Sequence, residues 1–208
     1  MNVFWSSVEL KYRQIQEIQI NIKVTGVIVV EEENVLNYTD KHKFRWFMNS
    51  LDMDEALNNF GEIKAYVEKT NITDYNIIVT LTGLRGMVTT SDPFYYSNFA
   101  NVLGYAFTKG VCDPKNNGVI CEDDGKFGSL SAVVHEIAHS LGLRHDGDTR
   151  IFEDNIDYSS CKTSDPGIHY AMDTKNLHSF DKYIWSNCSK KYFEFLKRDE
   201  EMACIGER

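Results

Sequence analysis

The chain has 208 residues, of which 42% are hydrophobic and 25% charged, so it is long enough to bury a substantial core and has an ordinary globular composition. Its formal net charge of −9 argues against a nucleic-acid-binding surface, which is typically basic. No apolar run approaches the length of a membrane span, and the longest aliphatic stretch is Val27 to Val30. We find no repeat, low-complexity tract or linker and expect one domain.

In the first half of the chain, side-chain periodicity predicts five segments. In chain order they are the end of a helix over Val3 to Tyr12, a strand over Ile15 to Val30, a polar loop over Glu31 to Lys43, a helix over Met53 to Lys69 and a strand over Tyr75 to Thr82. The first strand is predicted because Ile18, Ile20 and Ile22 alternate with polar residues. The long helix is predicted to start at Asp52, which forms a capping-box pattern with Glu55.

The second half of the chain contains strands, an irregular region and terminal helices. In chain order the predicted segments are a loop over Thr89 to Asn98, strands over Val102 to Thr108 and Val119 to Glu122, an irregular segment over Gly147 to His169, and helices over Asp181 to Trp185 and Ser189 to Arg198. Ser189 is the predicted N-cap of the last helix. A mixed sheet with helices, cut by a cleft, places the chain in the α/β (α+β) class.

One further stretch has strong helical periodicity. Its apolar residues recur at i, i+4, i+7 and i+11 and form one stripe, made of Leu130, Val134, Ile137 and Leu141. His135, Glu136 and His139 project from the opposite side. We therefore expect one helix face to pack on a core and the other to line a cleft. Either Ser129 or Ser131 is the predicted N-cap.

The run from His135 to Asp146 reads H-E-x-x-H-x-x-G-x-x-H-D. His135 and His139 lie one turn apart on one helix face, so their imidazoles can bind one zinc ion with Glu136 beside it as general base. Gly142 lets the chain leave the helix in a left-handed conformation, and the turn returns His145 as a third ligand. Three protein ligands leave a fourth tetrahedral position for water, which is typical of catalytic zinc. A bare H-E-x-x-H is a modest signal, but six specified residues in twelve positions are a specific one.

The extended motif is similar to the signature of the metzincin zinc proteases, which also have a Met-turn downstream. Tyr170-Ala171-Met172-Asp173 is the candidate turn, with Met172 expected beneath the zinc. Asp146, directly after the third histidine, resembles the adamalysin/reprolysin branch, which includes snake-venom metalloproteases and the ADAM and ADAMTS proteases. Astacins have Glu at this position and matrix metalloproteases usually have Ser.

Other stretches support the same resemblance, with good coverage from about Tyr75 to the end. They are Val102 to Phe107 followed by Gly110-Val111-Cys112, the ADAMTS-like Glu122 to Gly125, and Trp185 to Ser189 followed by Phe193, Phe195, Leu196 and Cys204. The chain also looks similar to some salivary metalloproteases of blood-feeding arthropods.

The resemblance implies a metzincin fold in which residues 1–208 form one catalytic domain. A larger upper subdomain covers residues 1–145 and a smaller lower one residues 146–208, with the active-site cleft between them. In the family, a strand and a long helix precede the part that resembles Ser7 to Val30, so we expect the upper subdomain to be truncated at its N-terminus. Family members often bind a structural calcium ion through an acidic residue of that strand and an Asp where this chain has Asn76, so calcium binding is doubtful here.

The chain has five cysteines and no C-x-x-C pair, so disulfides in an oxidising compartment are expected rather than a second zinc site. The resemblance implies the pairs Cys112–Cys204 and Cys161–Cys188. Cys121 is left over, either as a free thiol or as a cysteine that has lost its partner. Asn37 and Asn71 begin N-glycosylation triplets.

Together these features predict a secreted zinc endopeptidase that cleaves extracellular proteins or peptides as a monomer. His135, His139 and His145 hold the zinc ion, which polarises a water and the scissile carbonyl, and Glu136 transfers the water's proton to the leaving amine. By resemblance, the substrate runs extended along Val102 to Phe107. The alternative is a non-catalytic binding protein with a metzincin fold, which has no need of the base. A metal carrier is disfavoured by the open three-ligand site.

Overall fold

Helices and two small sheets share the chain in a mixed α/β arrangement, which confirms the predicted fold class. The computed structural model describes residues 2–31, 37–44, 49–89, 99–163, 168–174 and 184–205. Its helices are α1 (Asn2–Tyr12), α2 (Asn37–Asp40), α3 (Met53–Asn58), α4 (Gly61–Val67), α5 (Leu130–Ser140) and α6 (Asn187–Leu196). Its strands are β1 (Ser50–Asp52), β2 (Ile78–Thr82), β3 (Arg85–Thr89), β4 (Phe99–Asn101), β5 (Gly104–Ala106) and β6 (Gly118–Glu122). Short 3₁₀ helices occupy Gly110–Cys112, Tyr158–Cys161 and Glu200–Ile205.

The two sheets are joined by the segment that contains β4 and β5. In the first sheet, β3 lies between β1, to which it is parallel, and β4, to which it is antiparallel. In the second, β6 lies between β2, to which it is parallel, and β5, to which it is antiparallel. Val102, between β4 and β5, donates its backbone N–H to the Gly86 carbonyl of the first sheet (3.1 Å), and the Leu103 carbonyl accepts from Glu122 of the second (2.9 Å).

The helix predicted over Val3 to Tyr12 is confirmed as α1, which packs against α5. The buried Tyr12 hydroxyl donates to the Val134 carbonyl at 2.7 Å. The indole N–H of Trp185 donates to the Lys11 carbonyl at 3.0 Å. α1 therefore packs against α5 and is bonded to it through Tyr12.

The strand predicted over Ile15 to Val30 is wrong, because no described residue of this segment belongs to a strand. The alternation has a structural meaning nevertheless. Ile18, Ile20 and Ile22 pack partly buried against the core around α5, while Val27 and Val29 are exposed. An alternation with a period of two shows which side chains face the core. A strand also needs a backbone partner, and none of the β-ladders among the described residues includes this segment.

The helix predicted over Met53 to Lys69 is divided into α3 and α4 by Asn59 and Phe60. The predicted start is confirmed, because the Asp52 carboxylate accepts the Glu55 N–H at 3.1 Å. This bond satisfies one of the backbone N–H groups that lack a partner at the start of a helix. The apolar spacing continues through the break, so Phe60 and Ile63 are buried in the second core cluster with Leu51 and Met53.

The terminal helix begins earlier than predicted. α6 starts at Asn187, and its N-cap is Ser186 rather than Ser189: the Ser186 hydroxyl accepts the Ser189 N–H at 3.1 Å. Of the helix predicted over Asp181 to Trp185, residues 181–183 lie outside the described part, and Trp185 is not helical. Within the described residues 147–163 and 168–169, the irregular region is confirmed except for its short 3₁₀ helix.

Two predicted loops are only partly visible in the described residues. Glu31 to Lys43 contains the unpredicted short helix α2, and the loop over Thr89 to Asn98 lies outside the described part except for Thr89, which ends β3. The short strands β1, β3 and β4 were not predicted either.

Both predicted disulfides are confirmed. Cys112–Cys204 joins the 3₁₀ helix after β5 to the C-terminal 3₁₀ helix, and Cys161–Cys188 joins the irregular region to α6. Cys121, in β6, is a fully buried free thiol. No helix within the described residues is both long and apolar enough to cross a membrane.

Candidate metal centre

The three histidines of the motif converge at the end of α5. α5 is confirmed over Leu130–Ser140 and packs against β5 and β6 as well as α1. The apolar stripe is buried, and His135 and Glu136 on the other face are buried as well, at 3% and 5% exposed. Ser129 precedes the helix but makes no capping bond, because its hydroxyl donates to the Asp123 carboxylate at 2.7 Å.

Gly142 makes the turn that returns His145 to the helix, as the motif predicts. Its φ of +105° is in the region that favours glycine, and a Cβ there would lie 2.0 Å from the Tyr192 hydroxyl oxygen. The Leu143 N–H then donates to the Ala138 carbonyl at 3.0 Å, which closes the helix end.

The ligand atoms meet at one point. The Nε2 atoms of His135 and His139 are 3.0 Å apart, those of His139 and His145 2.9 Å, and those of His135 and His145 3.1 Å. Nitrogen ligands held about 2.1 Å from a tetrahedral zinc ion lie about 3.4 Å apart, so this cluster is slightly tighter than a zinc site requires.

Backbone carbonyls orient the first two rings. Nδ1 of His135 lies 2.7 Å from the Ala171 carbonyl oxygen, and Nδ1 of His139 lies 2.8 Å from that of Leu143. A carbonyl can only accept, so each Nδ1 is the protonated nitrogen, and each neutral ring presents a bare Nε2 lone pair to the centre. Lone pairs that face one another repel unless a cation lies between them. The donor set therefore fits a zinc ion, and the carbonyls are the outer partners that such histidines use.

Burial of the His139 ring, together with the neighbouring His145, lowers the pKa of His139 to about 3. A ring that resists protonation stays available as a metal ligand, because only the unprotonated imidazole binds metal.

The carboxyl group of Glu136 lies under β5. A Cβ on Gly104 would be 2.5 Å from Cγ of Glu136 and 3.0 Å from its Cδ, so the glycine leaves the space that this side chain occupies. Cys121 borders the same space, at 3.0 Å from that Cβ position. Burial raises the pKa of Glu136 to about 8 in the absence of a metal ion.

The segment that contains Met172 is fixed to the motif through Asp146. The Asp146 N–H donates to the Met172 carbonyl at 2.9 Å, and its carboxylate accepts the Ser186 hydroxyl at 2.6 Å. Met172 is fully buried. Asp146 was interpreted only as a family marker, and Ser186 was missed; the structure places both where they join the third ligand to the candidate Met-turn and to the start of α6.

A cavity of about 250 Å³ opens beside the third histidine. It is bordered by the motif, the irregular region and the candidate Met-turn, and its lining includes His145, Asp148, Lys162, Tyr170 and Asp173. Arg150 pairs with Asp148 at 2.6 Å and holds the pKa of that carboxyl down at about 2. This cavity reaches the metal centre through His145, which is one of its lining residues.

Other predicted sites do not join this centre. The second cluster of ligand-type atoms among the described residues, Asp146 with Cys161 and Cys188, contains two disulfide-bonded sulfurs and is not a metal site. Asn76 lies elsewhere, with its side-chain amide 3.5 Å from the Cys204 carbonyl oxygen. Asn71 is exposed in the turn after α4, whereas the side chain of Asn37 lies outside the described part.

Comparison with known proteins gives two family matches that together span the chain. The model of the reprolysin (M12B) family zinc metalloproteases matches residues 90–208, and the reprolysin-like model of metallo-peptidase family M12B matches residues 1–146.

Individual relatives are distant but nearly cover the chain. Venom metalloproteinase 3 of Eulophus pennicornis is 24% identical over 207 residues, covering 99% of this chain and 45% of that protein. The Bombyx mori protein named "A disintegrin and metalloproteinase with thrombospondin motifs like" is 25% identical over 212 residues. The match covers 97% of this chain and 29% of that protein. The chain thus spans less than half the length of these relatives.

A chain of the solved structure described as "Structure of a chaperone-substrate complex" has a TM-score of 0.51 and 14% identity, and the match covers 100% of this chain and 31% of that one. At this identity the match supports the fold alone.

Proposed function

The chain belongs to the reprolysin (M12B) family of zinc metalloproteases, and on that premise we propose that it is a secreted endopeptidase that uses Glu136 as its base. The observation that supports the proposal most strongly is the convergence of three Nε2 atoms within 3.1 Å of one another, next to a buried carboxyl group on the same helix.

In the proposed reaction, His135, His139 and His145 would hold a zinc ion, which would supply Lewis acidity toward a water and the scissile carbonyl. Glu136 accepts a proton from that water as the water oxygen bonds to the carbonyl carbon. The same carboxyl group then gives the proton to the amide nitrogen as the C–N bond breaks, so the products are a carboxylic acid and an amine, which ionise to a carboxylate and an ammonium group. The Ala171 and Leu143 carbonyls keep two of the rings in the tautomer that this arrangement needs.

We propose that the substrate lies extended along β5. Among the described residues, β5 is an edge strand that pairs only with β6, so one row of its backbone groups is open to a peptide strand. Gly104 in β5 also lies against the Glu136 side chain, which would bring the scissile bond near the base. Met172 is fully buried, and we propose that it supports the histidines from below.

Secretion is part of the same proposal and is supported by two disulfides, which persist in oxidising compartments. The upper and lower subdomains, the monomeric state, the glycans on Asn37 and Asn71 and the resemblance to salivary metalloproteases also stay predictions. The relatives named above are a venom metalloproteinase and an ADAMTS-like protein, and neither name specifies a substrate.

The proposal is tested by digesting a mixed peptide library with the purified protein, with and without a zinc chelator, and reading the products by mass spectrometry. We expect new peptide ends that disappear with the chelator and return when zinc is added. One bound zinc ion per chain with no turnover on any peptide or protein would instead favour the non-catalytic binding protein.

A further inference from the structure

Lys109 has a strained backbone next to the metal centre. It precedes the 3₁₀ helix Gly110–Cys112 with φ 62° and ψ 21°, the left-handed conformation that side chains with a Cβ resist. Its side chain is only 17% exposed. A lysine stays in such a conformation only if its surroundings hold it there.

Three carboxylates surround its ammonium group. Nζ lies 2.6 Å from Glu153, 2.9 Å from Asp199 and 3.2 Å from Glu201. Glu153 belongs to the irregular region after the third histidine, whereas Asp199 and Glu201 belong to the C-terminal segment. Asp199 is itself only 6% exposed, so it needs this cation nearby. Although burial lowers it, the pKa of Lys109 is raised overall by these ion pairs, and the lysine stays charged.

The backbone of the same residue reaches the metal-binding helix. The Lys109 N–H donates to the His139 carbonyl at 3.0 Å, and the Gly142 N–H donates to that carbonyl at 2.8 Å. A carbonyl in the last turn of a helix lacks a helical partner, so these two donors satisfy it. The His139 carbonyl is also where the turn to the third ligand begins. In addition, Cγ of Lys109 lies 3.0 Å from the position of a Cβ on Gly142, so the lysine stem packs on this turn.

We propose that Lys109 is a positioning residue of the zinc centre. The three carboxylates hold it in the left-handed conformation, and that conformation directs its N–H to the His139 carbonyl. The hydrogen bond fixes the turn that sets the separation of His139 and His145. The proposal rests on the three-histidine zinc site and not on peptide cleavage, so it is tested by zinc affinity.

The decisive comparison is between Lys109→Ala and Lys109→Gly. Both lose the ion pairs, but glycine adopts the left-handed conformation without strain and alanine does not. We expect Lys109→Ala to bind zinc about tenfold more weakly, the equivalent of about 1.4 kcal/mol and of the size of the strain of one left-handed residue. Lys109→Gly should stay within about twofold of the original chain in zinc affinity, yet melt at a lower temperature because Asp199 has lost its cation.

Zinc affinity is measured by competition with a fluorescent chelator, beside melting curves of the metal-free protein. Lys191→Ala, which removes an exposed lysine of α6, is the matched control and should change neither. Equal zinc affinities for the alanine and glycine variants, whether both weakened or both unchanged, overturn the proposal, since the backbone conformation is then not what Lys109 contributes.

A second pair of substitutions keeps the cation of the buried Asp199 in place, in case Lys109→Ala does not fold. Glu153 and Glu201 are exposed, at 65% and 73%, so Glu153→Gln with Glu201→Gln should leave the fold intact. We expect this double change to weaken zinc binding about threefold in the original chain, as suits exposed ion pairs, and to have no effect in the Lys109→Gly background. The same loss in both backgrounds contradicts the proposal.

Discussion

Replacing Glu136 by Gln separates zinc binding from catalysis. The amide keeps the size and shape of the side chain in the space under Gly104 but cannot accept the proton of the water. Because the three ligands are histidines, zinc should stay bound at one ion per chain. Peptide cleavage should fall by at least about 10²–10⁴-fold, the usual effect of losing general acid–base catalysis.

The structure adds a second expectation for the metal-free protein. Burial raises the pKa of Glu136 from 4.5 to about 8, so the fold favours the neutral carboxyl group. The stability that this group contributes is complete below pH 4.5 and is lost as pH rises through about 8. Relative to a permanently neutral amide, the carboxyl group destabilises the metal-free protein at pH 8 by up to about 4–5 kcal/mol. For a domain of this size, a difference of that magnitude raises the melting temperature of the Gln variant above that of the original chain by roughly 10 °C.

Three measurements check the reasoning on the same two samples: zinc content by plasma emission, cleavage of a quenched peptide, and melting of chelator-treated protein between pH 5 and pH 9. We expect the Gln variant to hold zinc, to cleave far more slowly, and to melt higher than the original chain by a margin that grows with pH. Wild-type cleavage by the zinc-loaded Gln variant refutes Glu136 as the base. A melting difference that does not change with pH refutes the account of its burial.

The remaining predictions concern the ligands, the cross-links, the glycine turn and glycosylation. His139→Ala removes a ligand, so zinc content and cleavage should fall together. Acidification should act in the same way, because imidazole ligands bind metal only when unprotonated. The lowered pKa of His139 moves the protonation of that ligand from the usual imidazole value of 6.5 toward pH 3. In the metal-free protein the stability from this lowered pKa is complete above pH 6.5 and is lost as pH falls toward 3. Reduction should lower the melting temperature markedly, since disulfides with separations of 92 and 27 residues each contribute roughly 3–5 kcal/mol in the chain-entropy model. Peptide mapping that joins Cys121 to Cys112 would contradict the pairing. Gly142→Ala should reduce the free energy of unfolding in urea by more than about 2 kcal/mol, with part recovered when Tyr192→Phe removes the clashing hydroxyl, whereas a neutral effect would show that the turn needs no glycine. Expressed in a secretory host, the protein should lose one glycan mass on Asn71→Gln, and no change in mass would remove Asn71 as an acceptor.

The metal centre was predictable from the sequence because nearly all of it is local. A spacing of four on a helix brings His135 and His139 together, and one glycine permits the turn that adds His145. The buried stripe of α5 follows from the same periodicity. The partners that orient the rings were not predictable, because a carbonyl such as that of Ala171 has no sequence signature. For the same reason no pattern identified Lys109, whose role depends on its backbone conformation and on carboxylates 44 to 92 residues away.

The errors in the fold have related causes. Ile15 to Val30 has the side-chain alternation of a strand, but pairing depends on a distant backbone, and the segment makes no ladder. The periodicity over Met53 to Lys69 runs across Asn59 and Phe60 without a signal strong enough to show where α3 ends. Ser129 has the preferred chemistry of an N-cap, yet Asp123 offers its hydroxyl a charged acceptor and takes it away from the helix.

The orientation of His135 connects the helix to the segment that contains Met172. The ring belongs to α5, but its Nδ1 is held by the Ala171 carbonyl, 36 residues further along the chain. Ala171 in turn donates its N–H to the Ile184 carbonyl at 2.9 Å, and Asp146 donates to the Met172 carbonyl. The orientation of the first ligand therefore depends on this later segment as well as on α5. Zinc that binds only the completed arrangement stabilises the later segment as well as the helix. A bound zinc ion would therefore link the two parts of the chain energetically, although all three of its ligands come from the short run His135 to His145.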